Sequence, residues 1–162
     1  MPSMIRKIFL LASMRDAFGF RASRKMLAKR FIRGSGIEIG ALHNPMWVPP
    51  DSRVIYVDRL DEADLRRHYP ELNEFPLVRI EVIDNGEKLT TFRPNSQDFI
   101  IANHFLEHAQ NPISTIRRHF EVLRPGGLLY MAVPDKRFTF DKARPETDLR
   151  RRPGMVAQCT SA

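Results

Sequence analysis

DFIIANHFLEHAQNP, residues 98–112, folds in one of two ways, and the choice sets the architecture. As a helix it would place His104 and His108 one turn apart in an H-x-x-E-H pattern, the spacing of a zinc-binding pair. As a strand it would run through Phe99, Ile100 and Ile101 and turn near Asn103. Three consecutive apolar residues, two of them β-branched, suit a strand covered on both faces. Pro112 follows His108 too closely for a long motif helix to continue. His119 and Glu121 fall inside the next helical pattern, so no clear third zinc ligand follows. The strand reading is the better one.

Outward from that strand the pattern repeats. GIEIG (36–40), RVIYVD (53–58), LVRIEVID (77–84) and GLLYMAV (127–133) read as four further strands. Residues 61–69 open with acids and close with bases, which suits a helix dipole. Residues 112–123 begin with proline and space Ile113, Ile116, Phe120 and Leu123 helically, before Arg124-Pro125-Gly126-Gly127 ends the run. Strands alternating with helices predict right-handed crossovers and a mostly parallel sheet. Ligands bind where such strands end. That places Glu38, Gly40, Asp58, Asp84, Asn103 and Pro134-Asp135 on one rim. Each alone is ordinary turn chemistry, because strand ends favour Asp, Asn and Gly; together they outline a site.

The chain at this point resembles a class I S-adenosylmethionine-dependent methyltransferase. Ile37-Glu38-Ile39-Gly40 is similar to the first motif of that family and Val57-Asp58 to the second, whose acid accepts hydrogen bonds from the ribose. Ile83-Asp84 is similar to the third, near the adenine. Residues 96–108, ending in Leu106-Glu107-His108, resemble the fourth, and 123–129 (LRPGGLL) the turn into the fifth strand. The resemblance implies a Rossmann-like three-layer sandwich over residues 34–141. It also implies S-adenosyl-L-methionine as cofactor and an unidentified small-molecule, lipid or glycan acceptor. Glu38, Gly40, His43, Asp58, Asp84 and Asn103 would hold the cofactor, and His104 would be the base where one is needed. No metal is expected.

Two departures stand out. The glycine-rich loop of the family is reduced to Gly40-Ala41-Leu42-His43-Asn44-Pro45, and Met46-Trp47-Val48-Pro49-Pro50 is poor helix material. The first helix of the family is therefore expected to be shortened or replaced by a loop. The same sequence lacks the G-x-G-x-x-G that a dehydrogenase would want. In addition, only about five strands are legible where the family has seven, with the last two missing. This predicts a shortened chain, or a partner or second copy pairing at the open sheet edge. A degenerate member acting as a scaffold is the alternative function.

With 162 residues, 43% of them hydrophobic and 28% charged, the chain can bury one core. The net charge of +7 is uneven: residues 1–33 hold nine Lys/Arg against the single acid Asp16. Residues 1–33 are thus read as a basic helical extension, with helices over 4–18 and 23–32 broken at Gly19 and ended by Gly34. It would pack on the domain or touch anionic surfaces; an organelle transit peptide or a poorly matching secretion signal are the other readings. Without interleaved aromatics it does not suggest nucleic acid. Residues 142–162 read as an irregular basic tail. The lone Cys159 suits a reducing compartment, and a cytoplasmic location is expected.

Overall fold

The computed structural model describes residues 17–139 and 142–145. Five strands, β1 (Ser35–Ile39), β2 (Arg53–Asp58), β3 (Val82–Ile83), β4 (Gln97–Asn103) and β5 (Leu123–Ala132), form one sheet in the order β3-β2-β1-β4-β5. Every pairing is parallel. Three helices accompany them: α1 (Ala17–Phe31), α2 (Glu62–His68) and α3 (Pro112–Val122). The sheet is sandwiched. Ile37, Ile39, Ile100 and Ala102 face a core closed by Val122, Ile116 and Phe120 of α3 and its end. Phe99, Ile101 and Tyr130 face Ala28 and Ile32 on the other side. Alternating side chains on one strand therefore reach different cores, as strand geometry requires. This is the Rossmann-like three-layer sandwich expected from the sequence.

Local chemistry explains the helix ends. Asp61 caps α2 by accepting the Asp64 N–H at 2.8 Å, and Asn111 caps α3 by accepting from Ser114 at 3.1 Å. Between β1 and β2 the chain is a loop, residues 40–52, as the prolines predicted.

Three expectations need correction. The extension does not break at Gly19, because α1 runs through it from Ala17 to Phe31. Burial of Ala28 and Ile32 on the sheet supplies helix stability that a single glycine, costing about 1 kcal/mol, does not cancel. Residues 4–16 of the expected first helix lie outside the described residues, as do Cys159 and most of the tail. The expected strand 77–84 pairs only at Val82–Ile83. It is an edge, its Arg79 and Glu81 are exposed, and the Val78 N–H bonds the Leu42 carbonyl instead of β2. Finally, the buried side of α3 is centred on Thr115, His119 and Val122, while Ile113 is 43% exposed.

Candidate functional site

At the carboxyl ends of β1, β2 and β4 lies a cleft of about 670 Å³. Its walls include Gly40, Asp58, Asn85, Gly86, His104 and Phe105. Gly40 ends β1 with φ +65°, a conformation that favours glycine, and its N–H bonds the Val57 carbonyl at 3.0 Å. A Cβ there would meet nothing within 4 Å, so the backbone is open toward the cleft.

Asp58 closes β2 and is 9% exposed. Burial raises its pKa, opposed by backbone N–H groups of Leu60 and Arg59 and by the Arg59 guanidinium. The Leu60 bond is long, 3.4 Å. A carboxylate has about four acceptor positions, so Asp58 retains capacity for a ligand. Arg59 is turned to Tyr69, donating to its hydroxyl at 2.9 Å.

Asp84 has the same strand-end position and a different use. It accepts from the Asn85 N–H at 2.7 Å, the Thr90 hydroxyl at 2.9 Å and the Thr91 N–H at 2.7 Å. Burial works to raise its pKa, yet these donors outweigh it and hold the carboxyl below the usual range. Its carboxylate ties down residues 85–91 and does not line the cleft; the neighbouring Asn85 and Gly86 do. Gly86 is required by packing, since a Cβ would lie 2.6 Å from Ile39 and 2.7 Å from Phe105. The Gly86 carbonyl in turn accepts the Nε2–H of buried His119 at 2.8 Å.

Glu38 is also on the rim but points beneath it. Both its oxygens accept the Met46 N–H, at 2.9 and 3.1 Å, and only 2% of the residue is exposed. Burial pushes its carboxyl up to about 7, against the Met46 bond and the field of Arg24. Asn103 sits beside the same loop, its Nδ2 3.6 Å from the Met46 sulfur and its Oδ1 buried without a partner. His43 is exposed and stacks on Phe75, with ring centroids 4.5 Å apart.

His104 lines the cleft from a left-handed backbone, φ +52°, with its N–H bonded to the Ala132 carbonyl at 2.8 Å. Its Nδ1 is 3.5 Å from a Glu107 carboxylate oxygen. A non-glycine residue held there stores strain of the sort that collects at functional sites. The zinc reading has no support here: His104 is the turn residue just after β4 and His108 ends a three-residue 3-10 turn, so they do not share a helix.

Of the seven sequence candidates, Gly40, Asp58 and His104 come together in the cleft; Glu38, His43, Asp84 and Asn103 do not line it. Sequence reasoning missed Asn85, Gly86, Phe105 and His108. Asn85-Gly86 is a turn signal directly after a strand end and could have been found.

The profile of the methyltransferase-domain family matches residues 25–157. The chain belongs to that family, the class I S-adenosylmethionine-dependent methyltransferases, whose cofactor is S-adenosyl-L-methionine. It is similar to a SAM-dependent methyltransferase from Aquifex aeolicus at 19% identity and TM-score 0.48, covering 75% of this chain and 69% of that one. It is also similar to YcgJ of Bacillus subtilis (20%, TM-score 0.45, covering 68% and 47%). A third is the CurJ carbon methyltransferase (22%, TM-score 0.44, covering 64% and 30%). The chain thus spans less than half of the length of two of these three. No curated protein matches it in sequence.

Proposed function

We propose that this chain binds S-adenosyl-L-methionine in the cleft and transfers its methyl group to an O, N or C nucleophile. The acceptor is a small molecule, lipid or glycan. The observation that carries this reading is Asp58. It is a buried carboxylate met only by the neighbouring backbone N–H groups of Leu60, at 3.4 Å, and Arg59, opening on a cleft whose size suits a nucleoside ligand. Vicinal hydroxyls would donate to its remaining acceptor positions. Gly40 would let the ligand approach the main chain. When bound, the cofactor supplies an electrophilic methyl on a cationic sulfur, which the carboxylate-bearing rim favours electrostatically. The protein's part is then mainly positioning. Where the acceptor must lose a proton, His104 takes it, held by Glu107.

Among the described residues no helix is long and apolar enough to cross a membrane; we place the protein in the cytoplasm. The free edge of β5, which pairs only with β4 among the described residues, is where a partner or second copy would add a strand. The loop in place of a helix after Gly40 favours one other reading, a scaffold that binds cofactor weakly. Isothermal titration with S-adenosylmethionine and its demethylated product separates the two. Micromolar binding supports the enzyme, and no heat at millimolar ligand supports the scaffold.

A further inference from the structure

Outside the cleft, α1 carries a second organised surface. Ala28 and Ile32 are buried against Phe99, Ile101, Tyr130 and Met46. Away from them, Lys25, Met26, Lys29 and Arg30 are exposed, Met26 by 65%, and Arg33 follows just past the helix. At about 100° per residue, positions 25 to 30 on this side span roughly 140° of the helix circumference. Lys25, Lys29 and Arg33 line a groove of about 510 Å³ whose other wall is Trp47, Pro49, Pro50 and Asp51. The Lys25 ammonium stands 4.9 Å from the centre of the Trp47 ring, and Trp47 is 39% exposed. Asp51 is the one acid in that groove.

Cations flanking exposed Trp and Met side chains have a specific physical use. Basic side chains are drawn to lipid phosphates, while an indole and a thioether gain by entering the boundary between headgroups and acyl chains. In water alone the same apolar groups are exposed at a cost. Nucleic acid fits less well: stacking needs free aromatic faces, and Lys25 already occupies a face of Trp47. We propose that this face, Lys25, Met26, Lys29, Arg30 and Arg33 with Trp47, docks the protein on a bilayer rich in anionic phospholipid. The inference does not depend on the cofactor reading.

Trp47 is the only tryptophan in the chain, so its emission reports on this face alone. The full-length chain is titrated with vesicles of phosphatidylcholine mixed with phosphatidylglycerol. The expected result is a blue shift and protection from acrylamide quenching, absent with pure phosphatidylcholine and absent with inorganic phosphate. Replacing Lys25→Gln, Lys29→Gln and Arg33→Gln together weakens partitioning by about a hundredfold, at about fivefold per charge. Lys29→Gln alone gives about fivefold and serves if the triple variant misfolds. Four results overturn the proposal. Anionic vesicles leave the emission unchanged; inorganic phosphate alone reproduces the shift; or single-stranded DNA perturbs Trp47 at lower concentration than vesicles do. Sedimentation with vesicles that survives the triple substitution overturns it as well, because another segment then does the docking.

Discussion

Asp58 and Asp84 end adjacent strands of one sheet with the same residue, and the protein uses them in opposite ways. Asp58 accepts from the Leu60 N–H at 3.4 Å and from the Arg59 N–H, and opens on the cleft. Asp84 is consumed by three short bonds from Asn85, Thr90 and Thr91. The difference lies downstream. After β3 the chain returns at Thr90 and Thr91 to satisfy the carboxylate; after β2 it leaves with Arg59 turned toward Tyr69. Strand-end placement puts an acid on the rim, and the next few residues decide whether a ligand can use it.

The comparison breaks most visibly at Asp84. Asp84→Ala leaves two N–H groups and a hydroxyl without their acceptor and should cost about 3–4 kcal/mol of stability, measured by urea unfolding. A loss below about 1 kcal/mol would mean that the loop is held by other contacts.

The rim carboxylates should also answer pH with opposite signs. Glu38 is held up to about 7 from 4.5. Its contribution is fully present below 4.5 and lost as pH rises through 7. Asp84, held low, contributes above its unfolded value of about 3.9 and loses that contribution as pH falls. Glu38→Gln keeps an acceptor for the Met46 N–H without the ionisation. Its stability relative to wild type should therefore improve by up to about 3 kcal/mol between pH 4.5 and pH 8. A flat difference across that range contradicts the burial argument.

Gly86→Ala drives a methyl into Ile39 and Phe105 and should cost about 2 kcal/mol, with weaker cofactor binding because Gly86 walls the cleft. The smallest of these effects belongs to His119, whose neutral form burial favours. Its contribution is present above its unfolded pKa of about 6.5 and is lost as pH falls through the lowered folded value. His119→Phe should remove that part of the acid sensitivity in denaturation curves.

Much of the fold was legible because it rests on local pattern. Consecutive apolar residues marked β2, β4 and β5, and Pro112 and Arg124-Pro125-Gly126 bracketed α3. Alternation of strands with helices marked the sheet as mostly parallel. What stayed hidden depends on approach in three dimensions. Hydropathy marked Ile116, Phe120 and Leu123, which do reach the core, but not Thr115 and His119, which are buried because Thr115 bonds Glu87 and the Asn111 carbonyl and His119 bonds Gly86. The shared rim of Glu38, Asp58 and Asp84 was readable, but not that Met46 folds over Glu38 or that Thr91 reaches Asp84. Residues 77–81 resembled a strand by composition, yet an edge position gave them one neighbour at most.

The central claim, a cleft built around the buried carboxylate of Asp58 and its remaining acceptor positions, is tested most directly by titration calorimetry of S-adenosylmethionine into wild type, Asp58→Ala and Asp58→Asn. The account predicts that Asp58→Ala weakens binding about 30-fold or more, near 2 kcal/mol for the lost charge-assisted bonds, with the fold intact by circular dichroism. Asp58→Asn should fall between. Equal affinity in all three proteins would contradict it.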